Sequence, residues 1–102
     1  MTNSEFNDII TEQLQHCCNL LCSKGEEYDS NTEDRLHSFK VAAALQNITP
    51  KQALVGMLAK HTVSIYDMAR DGEYSIEKWN EKITDHINYL LLLKALICEE
   101  CE

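Results

Sequence analysis

Glycine and proline are scarce in this chain: three of the first and one of the second in 102 residues. An all-β domain would need turn signals about every 8–12 residues. No alternating strand pattern, internal repeat or low-complexity segment is present either. Basic residues are also few. Nine Lys and Arg stand against seventeen Asp and Glu, for a net charge of −8. They are scattered from Lys24 to Lys94 with no basic stripe, so direct binding to a nucleic-acid backbone, which runs on clustered cations, is not expected. The longest apolar run, Tyr89 to Leu93, is far short of the about 20 residues that a membrane helix needs. The chain opens Met1-Thr2-Asn3-Ser4, without the basic start and apolar core of a secretory signal. A cytoplasmic protein with no membrane role is expected.

Cysteine is present in an odd set: Cys17, Cys18, Cys22, Cys98 and Cys101. A small secreted scaffold carries an even set at disulfide spacings. Cys18 and Cys22 lie one helical turn apart and Cys98-Glu99-Glu100-Cys101 is a C-x-x-C. Zinc sites usually mount such pairs on turns rather than helices. The thiols therefore read as small hydrophobes on a helix face at 17, 18 and 22, and as part of a frayed tail at 98 and 101. Zinc is not expected.

What punctuation there is falls mostly where helices would stop. The pattern predicts four helices, over about 4–24, 33–46, 50–70 and 75–98, in a single all-α, bundle-like domain. Thr2 and Glu5 stand at capping-box spacing and Gly25 follows the first helix. Its inward stripe is Phe6, Ile10, Leu14, Cys17 and Leu21, widened by Ile9, Cys18 and Leu20. The second helix buries Leu36, Phe39, Ala43 and Val41, and Asn47 ends it in the left-handed conformation. Thr49, Pro50 and Gln52 give the third the clearest start signal in the sequence. It runs through Leu54, Leu58, His61, Ile65 and Met68 to Asp71-Gly72, and Ser75 caps the fourth.

The fourth helix is the most informative. Trp79, Ile83, Ile87, Leu90, Leu93 and Ile97 recur every three or four residues, the stripe of a helix packed on one side. Opposite lie Glu81, Asp85 and Asn88, on one line. From Tyr89 to Ile97 only Lys94 is charged. Such a helix needs several neighbours, and a homo-oligomer is expected. Partial burial would raise the pKa values of Glu81 and Asp85 unless a cation compensated them. Mg²⁺ suits such a pair, because it uses one or two carboxylates with waters and a substrate phosphate. Equally, the two acids can simply cover a wet face. On the third helix Lys60, Ser64, Asp67 and Asp71 share a face, and His61 sits inside the apolar stripe, where a hydrogen-bonded core residue is the ordinary reading.

Taken in order, these segments resemble a known group. Lys24-Gly25-Glu26-Glu27-Tyr28, then Arg35-Leu36-His37-Ser38-Phe39, is similar to the "K-x-x-(D/E)-Y … F" opening of small proteins common in bacteriophages and prophages. Pro50-x-Gln52-Ala53-Leu54 through Leu58-Ala59-Lys60-His61 and Ser64-Ile65-x-Asp67-Met68 resembles their middle helix. Asp85-His86-Ile87-Asn88-Tyr89-Leu90-Leu91-Leu92 resembles their closing "D-x-x-N-Y" helix. The grouping resembles the nucleotide-modification-associated domain 1 family over Cys22 to Glu100. It is distantly similar to the all-helical MazG and dimeric dUTPase class of nucleoside-triphosphate pyrophosphohydrolases. The resemblance implies a helical, oligomeric, Mg²⁺-dependent enzyme whose metal is held by E-x-x-E on one helix and E-x-x-D on a later one. Asp85 matches the second motif's aspartate. Lys82 stands where its glutamate would fall, with Glu81 one residue early, and Glu26-Glu27 only loosely replaces the first motif.

Two functions are therefore expected in competition. In the first, the chain binds a nucleoside phosphate. Lys24, Arg35, Lys40 or Lys60 meets the phosphates, Tyr28 or Tyr89 lies against the base, and Asn88 is beside it. Glu81 and Asp85 hold Mg²⁺ for hydrolysis, with Glu27 as third ligand or base. In the second, a non-catalytic acidic phage protein binds and inhibits a host factor through a cationic surface.

Overall fold

The structure is a computed structural model and describes residues 1–28 and 34–102, the side chains of 23–28 excepted. Four helices follow one another: α1 (Asn3–Tyr28), α2 (His37–Gln46), α3 (Pro50–Asp71) and α4 (Ile76–Glu100). Among the described residues there is no strand, and the all-α, bundle-like architecture is as expected.

The helix starts follow local chemistry. The amide of Thr2 donates to Glu5 Oε2 at 3.0 Å while that of Glu5 donates to Thr2 Oγ1 at 3.1 Å. Thr49 and Gln52 exchange the same pair of bonds at 2.9 and 3.2 Å, with Pro50 at the first helical position. Ser75 accepts from the amide of Lys78 at 3.2 Å. Asn47 closes α2 at φ 58° and ψ 44°, the left-handed turn that an Asn tolerates.

Two boundaries differ from the sequence pattern. α1 passes through Gly25 and ends at Tyr28. A glycine inside a helix costs only about 1 kcal/mol against Ala, and no described glycine takes up the left-handed turn that commonly closes a helix. α2 begins at His37 rather than 33. The Asp34 carboxylate accepts from the amide of Leu36 at 3.0 Å and its carbonyl from His37 at 3.1 Å, so a local turn takes up these backbone donors first.

α3 and α4 are an antiparallel pair joined by residues 72–75. Their packing carries the core, where Leu36 and Phe39 meet Leu54 of α3 and Leu96 of α4, with Met57, Tyr89, Leu92 and Leu93 packed against them. α2 rests on α3, and α1 on α4. Among the described residues α1 and α2 do not touch, so the helices form an open row, α1–α4–α3–α2, rather than a closed ring. At the α1–α4 contact Cys17 and Thr84 are buried, and Gln13 Nε2 donates to Thr84 Oγ1 at 2.8 Å and to Cys17 Sγ at 3.2 Å.

This open arrangement corrects three expected faces. Phe6, Ile9, Ile10 and Leu14 are exposed, as is Cys18; of the stripe on α1 only Cys17 is fully covered. One neighbour covers a narrow strip of a helix, and among the described residues α1 has one neighbour. On α4 the deepest residues are Thr84, Asn88 and Leu96, whereas Ile83, Leu90 and Ile97 are exposed. α4 is clasped by α1 on one side and α3 on another, so its buried face points between them. Val41 is exposed as well; α2 turns Phe39 and Ala43, not Val41, to the core.

Leu54 has no exposed surface. Leu54→Ala should lower the free energy of unfolding by about 2–5 kcal/mol, the usual range for an aliphatic core truncation. Leu45→Ala, at an exposed site on α2, should stay within about 0.5 kcal/mol of the parent. Urea denaturation followed by circular dichroism measures both.

Candidate functional site

The hairpin of α3 and α4 sets the chemistry. Chain reversal at residues 72–75 brings residues roughly equidistant from the link face to face, so the later turns of α3 meet the start of α4. A cleft of about 420 Å³ opens there. Lys60, Ser64 and Asp67 reach it from successive turns of α3, and Lys78 and Lys82 from successive turns of α4. Val63 and Met68 supply apolar lining and Tyr74 stands at the link. The Tyr74 ring is set edge-on against Trp79, with centroids 6.3 Å apart and an interplanar angle of 83°.

Three of the nine basic residues in a chain of net charge −8 thus converge on one cleft. Among the described residues none of the three is in an ion pair. The cationic neighbours of the cleft are otherwise neutralised: Arg70 holds Asp71 at 2.6–2.9 Å and reaches Asp67 at 3.5 Å. Asp67 is the one carboxylate in the lining and is shared with Arg70, so three ammonium groups leave the cleft net positive and suited to an anion. A charge-assisted hydrogen bond to such an anion contributes about 1.5–3 kcal/mol.

The other expected site residues are dispersed. Glu81 is exposed and Asp85 half-buried, and neither lines the cleft. Both lie three residues beyond a cleft lysine, 78 to 81 and 82 to 85, so the acidic line runs alongside the lysine line on α4. Among the described residues no three His, Cys, Asp or Glu side chains converge as a metal centre. The Glu81–Asp85 pair suits Mg²⁺ only when phosphate oxygens and waters complete the shell. The expected roles of Lys24, Glu27 and Tyr28 fall on side chains outside the described residues. Arg35 is half-buried in the turn before α2.

Lys40 is engaged elsewhere. Its Nζ donates to Asp34 Oδ2 at 2.6 Å and also pairs with Glu99, tying the start of α2 to the end of α4. Tyr89 lies against His61, ring centroids 4.7 Å apart, at the edge of the core. Asn88 is buried, and its Oδ1 has no hydrogen-bond partner among the described residues, as is also true of His86 Nδ1. Of the sequence candidates, then, the structure brings Lys60 into the cleft, and adds Lys78, Lys82 and Tyr74. The four-residue spacing of Lys78 and Lys82 was the available signal, but its meaning depends on which turn of α3 lies opposite.

No protein-family model, curated protein or solved structure matches this chain. Among the described residues no helix is long and apolar enough to cross a membrane.

The Lys40 cluster has a pH signature. Its hydrogen bond to Lys40 holds the Asp34 carboxyl below the usual carboxylate range, so the folded state favours the ionised form. That stabilisation is complete above the unfolded carboxyl pKa, about 3.9, and is lost as pH falls through the lower folded value. Lys40 is shifted up, chiefly by the same bond, and its part is lost only at strongly alkaline pH. Urea midpoints for the parent and Asp34→Asn should differ at pH 7 and converge as the solution is acidified below about pH 4.

Proposed function

We propose that this chain binds a nucleoside phosphate in the cleft between α3 and α4. The observation that carries the reading is the convergence of Lys60, Lys78 and Lys82, without an ion pair among the described residues, on one concave surface of an acidic chain. The three ammonium groups receive the phosphate oxygens as point charges. Ser64 adds a hydroxyl donor beside them. Tyr74, held against Trp79, offers a ring face to the base, a role for which Tyr89 is less suited because His61 lies against it. Lys40 is withdrawn from phosphate binding by Asp34 and Glu99.

The acidic line beside the lysines gives the site its place for Mg²⁺. Glu81 and Asp85 would contribute two carboxylates on the flank of a polyphosphate already seated on Lys78 and Lys82. When bound, the ion supplies neutralisation of phosphate charge. The motif order from Lys24 to Leu92 supports the nucleotide as ligand, and the lysines support the phosphate part of it.

Calorimetric titration with nucleoside tri-, di- and monophosphates, with and without Mg²⁺, tests the reading. Triphosphates should bind most tightly and raise the melting temperature, with affinity falling as salt rises. Lys60→Ala and Lys82→Ala should each weaken binding by about tenfold or more, the equivalent of one charge-assisted bond. Pyrophosphate release that is lost in Asp85→Ala would extend the function to hydrolysis. No heat and no melting shift with any nucleotide would end the proposal.

A further inference from the structure

The cleft holds one charged group that phosphate binding does not use. Asp67 lines it together with Lys60, Lys78 and Lys82, and a carboxylate repels phosphate oxygens instead of receiving them. Its side chain is 53% exposed. Arg70 holds Asp71 at 2.6–2.9 Å and reaches Asp67 Oδ1 only at 3.5 Å, the outer limit of a hydrogen bond. Among the described residues Asp67 has no other partner. A carboxylate accepts several bonds, so Asp67 is available to a ligand that brings donors.

Position decides which donors. Lys60, Ser64 and Asp67 follow one another along α3 toward the link, and at 1.5 Å per residue Asp67 stands about 10 Å farther along the axis than Lys60. Beyond it the Tyr74 ring closes on the end of α3. A methyl group at Gly72 would stand 3.1 Å from Tyr74 Cε2, and Trp79 meets the same ring edge-on. The ring is therefore held at that end, while 44% of the residue stays exposed. On α4, Lys82 enters one turn farther from the link than Lys78. The lining thus runs from Lys60 and Lys82 at one end, past Asp67 and Lys78, to an aromatic ring at the other.

A nucleotide has the same order: charged phosphates, a sugar carrying hydroxyl donors, then a flat base. With its phosphates on the lysines and its base on Tyr74, the sugar falls beside Asp67. We propose that the Asp67 carboxylate accepts hydrogen bonds from the 2′- and 3′-hydroxyls of a ribose, making the site selective for ribonucleotides over 2′-deoxyribonucleotides. The inference rests on the nucleotide reading of the cleft and adds its sugar class. A site that hydrogen-bonds a hydroxyl disfavours the analogue lacking it. Because Asp67 is exposed, water partly replaces the missing donor and keeps the factor modest.

Calorimetric titration of adenosine triphosphate and its 2′-deoxy and 2′,3′-dideoxy forms into the full chain, with EDTA present, is the test. Affinity should fall in that order, by about fivefold or more at the first step. Uridine triphosphate and its 2′-deoxy form should show the same first step, because the sugar is common to both. Asp67→Ala should bring the ribonucleotide down to the level of its deoxy form, and circular dichroism verifies that the variant remains helical. The parent series stands without the variant. Equal affinity for the three sugars would overturn the inference while leaving nucleotide binding intact. So would a ranking by base that ignores the sugar, since the carboxylate would then face a base edge. An equal loss of ribo and deoxy forms in a folded Asp67→Ala chain would also overturn it. If no nucleotide of any sugar binds, the reading of the cleft itself fails, and this inference with it.

Discussion

The antiparallel packing of α4 on α3 is the contact from which the remaining geometry follows. Four residues between the helices leave little slack, and the turn therefore fixes which residues oppose one another. Near the link Met68 and Ser64 of α3 and Lys78 and Lys82 of α4 line one cleft. Farther along it brings His61 to Tyr89, and at the far end Leu54 to Leu96 in the core. One hairpin thus has a polar, concave end and an apolar, filled end. α2 completes the filled end, while the concave end stays open.

α4 meets its two neighbours through different chemistry. Toward α3 and α2 it offers Leu92, Leu93 and Leu96, whose burial is non-directional. Toward α1 it offers Thr84, held by Gln13 through a directional hydrogen bond. Around the cleft, electrostatics are local. With a Debye length of about 8 Å at physiological salt, an anion between Lys60, Lys78 and Lys82 experiences those cations more than the acid on distant faces.

Much of the fold was legible because it is written in short-range chemistry. Thr49 with Gln52, Thr2 with Glu5, Ser75 and Asn47 each mark a helix end through bonds within a few residues, and each does so in the structure. Leu36, Phe39, Leu54 and Met68 are buried as their spacing predicts. The misread residues depend on partners instead. Phe6, Ile10 and Leu14 carry the periodicity of a core face, yet periodicity states which side is apolar and not whether the chain supplies a cover. Thr84 looks like a surface residue until two helices close on α4. For the cleft, Lys60, Ser64 and Asp67 were visible as one helical face, but Lys78, Lys82 and Tyr74 gain meaning only from the register of the hairpin. The emphasis on Glu81 and Asp85 came from their shared line on one helix and then from motif likeness, and neither lines the lysine cleft.

The one-sided attachment of α1 has a consequence for motion. Releasing it from the row breaks a single interhelical contact, while withdrawing α3 or α4 dismantles the core. Local opening free energies follow how much packing must be given up. Among the described residues α1 gives up less packing on opening than the hairpin does, and it is expected to open at lower free energy. Its amide hydrogens would exchange with solvent deuterium well before those around Leu54, grading protection along the chain by position in the row.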